Sequence, residues 1–380
     1  MTTFVFTAEQ QELRRTVRRF LSDKSPPEQV RRLMDTGDGY DPDVWSQLAG
    51  QLGLVGLTVP EEHGGSGCGP VEQLIVCEEM GRALLCAPYL STAVLATSTL
   101  LASADRAAQA GLLPPIAAGS LIATLAVPED EGTWSTGTLR TQARVQGSRW
   151  LVTGRKNFVL DGASAGLILV AAQAPAGPSL FAVDGAAPGL ARRPLQTLDM
   201  TRKQAVIDFD EVPARLVGTE GAAAAVVDHA VLLGSIMLAA EQVGGAQRCL
   251  DMSVDYAKFR YQFGRPIGSF QAIKHKCADM LLEVESARSA AYYAAWGAAD
   301  GAPDLPLAAS LAKAYCSEAY SRTAAGNIQI HGGIGFTWEH DAHLYYRRAK
   351  SAEAMLGTPA EHRDLAAGYL IDTNPGSPAP

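Results

Sequence analysis

The stretch "HAVLLGSIMLAAEQVGGAQ" sets one carboxylate, Glu241, inside a run of alanine, leucine, isoleucine and valine. An ionised carboxylate in such surroundings is costly unless a cation meets it or its proton affinity rises. Glu241 therefore has three readings: a general base, half of a buried ion pair with a cation such as Arg322 or Arg347, or a surface-facing Glu. Glu361, just after "GTP", is a second candidate base, although an acid in a first helical turn commonly answers the helix dipole. No Ser/His/Asp arrangement or phosphate-binding P-loop is recognisable, and Asp228 with His229 makes no metal constellation. His331 reads as a packing residue between subunits, and Trp134 and Trp338 as core or interface residues.

The elements that must position these groups are mostly helical. With 380 residues the chain exceeds the size at which one core keeps growing, so two or three packed units are expected. A net charge of −8 with short, scattered Lys/Arg clusters leaves no stripe able to neutralise a run of phosphates, which excludes nucleic acid as a partner class. The six cysteines show no metal-ligand spacing and read as small buried apolar groups in a reducing cytoplasm. The N-terminus lacks a signal-peptide pattern, and the long uncharged stretch "LLCAPYLSTAVLATSTLLASA" carries Pro88 and several Ser and Thr. It reads as a buried helix, and a soluble cytoplasmic protein without a membrane span is expected.

Along the chain, "TAEQQELRRTVRRFLSD" carries an N-cap candidate at Thr7 and apolar residues at helical spacing. Helical text continues to about residue 118, broken by the Gly/Pro loop "TVPEEHGGSGCGP". Short β-rich runs with turn residues between them follow, from "LIATLAV" to "AVIDFDEV", and indicate an antiparallel barrel or sandwich. Helices return at about 223–255, 267–297, 305–331 and 341–355, a count that suits an antiparallel bundle. The expected organisation is an N-terminal helical domain (1–120), a middle antiparallel β-barrel domain (121–221), a C-terminal four-helix bundle (222–372) and a disordered polar tail (373–380).

Two stretches of the last block, "YAKFRYQFGRPIGSFQAIKHKCADM" and "IQIHGGIGFTWEHDAHLYYRRAKSAEAMLGTPAEHR", are specific. With "FTAEQQELRRTVRRFL", "PEEHGGSG" and "WLVTGRKNFV" they resemble the acyl-CoA dehydrogenase family over nearly the whole chain. The resemblance implies an α+β multidomain fold, a tetramer or dimer, one FAD per active site, CoA-thioester substrates and an electron-transfer flavoprotein as electron acceptor. It implies that Arg260 pairs with the FAD pyrophosphate, Phe263 flanks the adenine end and Gln271 offers an amide, toward the FAD of a neighbouring subunit. A guanidinium fork does match phosphate oxygens. Gly332 and Gly333 would let backbone approach the same pyrophosphate, with Gln329 hydrogen-bonding it; Thr358 of "GTP" joins the implied cofactor contacts. At the flavin ring the family's usual Thr is replaced by Pro128 in "LAVPEDEG", and the aromatic-x-Thr pattern reads "FVL", with Phe158 kept and Leu160 in place of the hydroxyl.

The family's chemistry removes an α proton to a carboxylate and passes hydride from the β carbon to flavin. In most members that Glu precedes the "GT" of the last loop, where this chain has Leu356; in others it sits on the first bundle helix, at Gly234 here. Glu241 lies seven residues further on, two helical turns, and so on the same face about 10 Å along the axis. Three functions follow as expectations: a dehydrogenase using Glu241 as base; a non-catalytic or half-site subunit of a heteromer resembling the actinobacterial α2β2 enzymes; or a flavin monooxygenase or oxidase on the same fold. The small residues of "APYLSTAVLATSTLL" hint at room for a branched or bulky acyl group.

Overall fold

The structure, a computed structural model, describes residues 5–372. The expected tail at 373–380 lies outside the described residues. Helical N- and C-terminal regions flank a central mixed sheet. Internal contacts divide the chain into two interleaved compact units. Unit 1 joins the chain up to Val30, Pro70–Leu85 and everything from Ser235; unit 2 joins Arg31–Gly69 and Cys86–Gly234.

Unit 1 is helical. Helix α1 (Ala8–Lys24) starts on a capping box in which Thr7 accepts from the Gln10 N–H and the Gln10 side chain accepts from the Thr7 N–H. Val17 and Leu21 turn inward from it. Helix α2 (Pro27–Met34) begins in unit 1 and ends in unit 2, as α3 (Pro42–Gly50) lies in unit 2. Helix α4 (Pro70–Arg82) returns to unit 1 and is buried almost throughout. It carries two acids into the core, Glu78 and Glu79, which are answered by Arg14, Arg18, Arg288 and the Tyr292 hydroxyl. Unit 2 adds α5 (Thr97–Ala102) and α6 (Arg106–Ala117).

The later part of α7 (Ala223–Phe259) packs on α4 through two glycines. A Cβ at Gly81 would stand 1.9 Å from the Glu241 carbonyl, and one at Gly244 only 1.8 Å from the Glu78 carbonyl. The two backbones touch, and any larger residue would push them apart. Gly245, next along, accommodates the ring of Tyr320 in the same way. After the hairpin β8 (Tyr261–Gln262) and β9 (Arg265–Pro266), the bundle continues through α8 (Gln271–Asp300), α9 (Leu305–His331), the short α10 (Gly333–Phe336), α11 (Ala342–Ala354) and α12 (Pro359–Asp372).

In unit 2 the sheet holds β1 (Ala123–Ala126), β2 (Gln142–Gln146), β3 (Arg149–Leu160), β4 (Leu167–Ala174), β5 (Gly177–Asp184), β6 (Leu190–Pro194) and β7 (Gln204–Val217). Pairings β4–β2–β3–β7–β5–β4 run round a closed circuit, as a barrel does. The antiparallel expectation holds for most of them, but β1 and β2 run parallel to β4, so the sheet is mixed. The β2–β3 hairpin turns on Gly147 (φ 64°) and Ser148, which close Gln146 against Arg149. The "STAVLAT" text is helical and buried, as expected, but Leu90–Ala96 is wound as a π-helix before α5. Thr92 donates to the Ala123 carbonyl and Thr97 to that of Thr92, while Ser91 reaches the Asp161 carboxylate at 2.6 Å and the Pro88 carbonyl at 3.1 Å.

Candidate functional site

Glu241 is not beside Arg322 or Arg347. Its carboxylate accepts a 2.6 Å hydrogen bond from Arg348, and both side chains are nearly out of solvent. Arg322 instead pairs with Glu283 and Glu318 on the bundle surface, and Arg347 stacks its guanidinium 4.4 Å over the Trp338 ring. The reason is helical register. Tyr345, Arg348, Ala349 and Ala352 form the buried stripe of α11, while Arg347 is rotated about 100° away. That i, i+3, i+4, i+7 spacing was visible in "YYRRAKSA" and was the signal that could have singled out Arg348.

The neighbour of Glu241 is equally engaged. Gln242 donates from its amide at 3.0 Å to Ser317 on α9, which in turn accepts from the buried ammonium of Lys313 at 3.1 Å. Lys313 also donates to the Glu353 and Gly357 carbonyls. The polar pair in the apolar helix therefore ties α7 to α11 through Glu241 and to α9 through Gln242. Lys313 gave no sign in "SLAKAY" of being buried.

The turn at the family's usual base position carries Leu356, buried, at φ 57°, followed by Gly357 at φ 101°. Thr358 is the N-cap of α12 and Pro359 its first residue. The Glu361 carboxylate accepts from the Thr358 N–H (2.7 Å) and hydroxyl (2.9 Å), and the Thr358 hydroxyl accepts from the Glu361 N–H. This capping box accounts for Glu361, whose carboxyl is held low first by the Thr358 N–H, and it occupies the hydroxyl of Thr358.

One end of the bundle gathers the other candidates. Tyr256, one turn before Arg260, stacks its ring 4.2 Å from His331, which directly precedes Gly332. His331 is thus packed within its own chain, with Nδ1 2.8 Å from the Asn327 carbonyl and its ring 4.3 Å from His340. Burial lowers its proton affinity below the ordinary imidazole value. Among the described residues the exposed Arg260 guanidinium meets no carboxylate. Phe263 stands 91% exposed at φ 54° in the tip of the β8–β9 hairpin, its ring edge-on to Phe270 at 6.0 Å. Gln271 opens α8 and Gln329 faces outward from α9. Gly332 lies at φ 67°, ψ −139°, a conformation open essentially to glycine, and a Cβ on it or on Gly333 would meet nothing within 4 Å. A free guanidinium, two amides and an uncovered glycine backbone are a donor set that fits an anionic dinucleotide pyrophosphate.

In unit 2, β3 bulges between Lys156 and Val159. The bulge puts Phe158 at φ 54° and leaves it half exposed, while Leu160 is buried and its carbonyl accepts from Thr124. Pro128 offers its carbonyl to the Asn157 N–H at 2.8 Å. Beneath the bulge the buried Lys156 ammonium bonds Glu129 at 2.7 Å and the Val127 carbonyl at 3.0 Å. Of the six cysteines four are buried, and Cys68 and Cys277 are only half covered.

A helical bundle with this donor-lined end, joined in one chain to a small barrel-like sheet, defines a class. The chain belongs to the acyl-CoA dehydrogenase family, whose members are flavoproteins. Residues 7–120 match the family's N-terminal domain and 224–370 its C-terminal domain. It is 37% identical to the acyl-CoA dehydrogenase IpdE2 of Mycobacterium tuberculosis, covering 93% of this chain and 94% of that protein. Among solved structures it is similar to a variant of the Tcur3481-Tcur3483 steroid ACAD, with TM-score 0.85, 32% identity and 96% and 98% of the two chains covered. It is also similar to the ChsE4-ChsE5 complex of Mycobacterium tuberculosis, with TM-score 0.89, 28% identity and 99% and 100% covered.

Proposed function

We propose that this chain is one subunit of a cytoplasmic, flavin-dependent acyl-CoA dehydrogenase built from two kinds of chain, and that the base for the α proton comes from the second. One observation carries this reading: the Glu241 carboxylate is tied to the buried guanidinium of Arg348. A base takes up the proton it removes, and doing so here would discharge the pair and take the Glu241 charge away from the buried Arg348, at a cost of several kcal/mol. Leu356 and Gly234 bring no carboxylate to the two places where the family keeps one.

What the chain contributes is a cofactor-binding end. Arg260, Gln329 and the backbone at Gly332 and Gly333 would hold the pyrophosphate of FAD, with Phe263 and Gln271 toward its adenine half; in unit 2, Phe158 would flank a flavin ring. When bound, FAD supplies the acceptor for the substrate's hydride, and the electrons go on to an electron-transfer flavoprotein. Two of the similar structures are each named for two chains, which supports a mixed assembly. The substrate is a bulky acyl-CoA. Small residues make up much of the π-helical segment, its hydroxyls are engaged within the chain, and one similar structure is named a steroid ACAD.

The test is expression with and without the partner chain from the native host. Alone, the chain should be colourless or inactive on acyl-CoA esters; with the partner it should be yellow and active, and Glu241→Gln in the complex should keep its turnover. A yellow, active homo-oligomer whose turnover disappears in Glu241→Gln would overturn the proposal.

A further inference from the structure

Leu356 and Gly357 are consecutive residues at positive φ, and such a turn persists only where its surroundings hold it. Lys313 is fully buried on α9, and its ammonium has three donors for three acceptors: the Ser317 hydroxyl (3.1 Å), the Glu353 carbonyl (3.3 Å) and the Gly357 carbonyl (2.9 Å). Two of the three belong to the end of α11 and to the turn itself. Ser317 also accepts from Gln242 and donates to the Lys313 carbonyl, so it has no further proton to offer. The His362 ring supports the neighbouring carbonyl, its Nε2 lying 2.9 Å from the Leu356 oxygen, which requires the proton on Nε2.

We infer that Lys313 is a positioning residue for the reaction: its three ammonium protons, one to each acceptor, hold the Leu356–Gly357–Thr358 turn. This rests on the reading that the turn borders the reaction site. The groups facing the ammonium are Cys316 on its own helix, the Glu353 carboxylate from α11, already bonded to Lys350 and Ser321, and Glu361 and His362 from α12. From α7 come only Gln242, which is neutral, and Glu241, which Arg348 neutralises. Burial brings the Lys313 ammonium down to about 8, and the same burial, with Lys313 beside it, lowers His362. A second proton on His362 would enter at Nδ1, which is buried and has no hydrogen-bond partner among the described residues. Protonation of His362 therefore loosens the turn as pH falls below the ordinary imidazole value of 6.5, whereas burial makes the open turn the better proton holder for Lys313, so rising pH does not release it.

Hydrogen exchange on the full-length chain reads this without cofactor or partner. Corrected for intrinsic rates, amides in 356–362 should exchange about tenfold faster in Lys313→Met than in the wild type at pH 7.5. The amides of Ala342–Ala354 should be unchanged and the melting temperature not lowered, since a buried charge has gone. Equal exchange of 356–362 in the two chains overturns the inference. So does a Lys313→Met chain that loosens everywhere, which would make Lys313 a general structural residue. If exchange behaves as expected but Lys313→Met in the active complex keeps wild-type turnover and its pH profile, the positioning role falls while the two-chain reading stands.

Discussion

The ring of Tyr256 lies 4.2 Å from that of His331, and this contact joins the ends of α7 and α9. Arg260 follows one of these residues by one helical turn, and Gly332 follows the other directly. Because His331 is lowered by burial, the unfolded chain takes up a proton before the folded one does as pH falls below 6.5. Its contribution to stability is therefore complete above 6.5 and declines below it. His331→Ala should release flavin from the assembled enzyme more readily, and His331→Leu should remove the acid-side part of the stability loss. Flavin absorbance after gel filtration and unfolding midpoints at pH 5–7.5 check both.

Glu241 and Arg348 should behave as a buried pair. Glu241→Leu alone removes the carboxylate that meets the buried Arg348 and should cost about 3–5 kcal/mol of unfolding free energy, whereas Glu241→Leu with Arg348→Met should recover most of it. Urea unfolding of the two single variants and the double variant measures the coupling. Additive losses would show that the two groups do not depend on each other.

Glu129 should give the chain an acid limit. Burial by itself would raise this carboxyl, but the Lys156 ammonium and the Thr141 N–H overcome that and bring it to about 2. The ionised form is favoured in the fold, so the stabilisation is present above the ordinary carboxylate value of 4.5 and is lost as pH falls from there toward 2. Glu129→Gln should flatten the urea midpoint over that window; an unchanged slope would show that the pair contributes nothing.

The cap of α12 should be worth about 1 kcal/mol, and Thr358→Ala should lose that much, with Thr358→Ser close to wild type. Equal loss in both would mean that the methyl group rather than the hydroxyl matters. Thermal unfolding of the three chains separates these cases.

Much of the architecture was legible in the residue pattern, because helical periodicity and capping are local. The α1 start at Thr7, the ends of the bundle helices and the turn at Gly147 all follow from neighbours within four residues. Legible in the same way were the groups that could meet a pyrophosphate, since "RYQFGRPIGSFQ" and "IHGGIG" carry them at short spacing. Strand direction was not, because whether β1 runs parallel or antiparallel to β4 depends on the path between them. Nor were the partners of the buried charges. Glu241 and Arg348 are 107 residues apart and Lys313 is 44 from Gly357, so nothing within a few turns of either chain segment sets their pairing. The sequence by itself determined that a carboxylate would be buried and would have to be neutralised, because burial and charge are properties of the residues. Only the tertiary structure decided by what, because the register of α11 against α7 puts one of two adjacent arginines on the inner face and turns the other to a tryptophan.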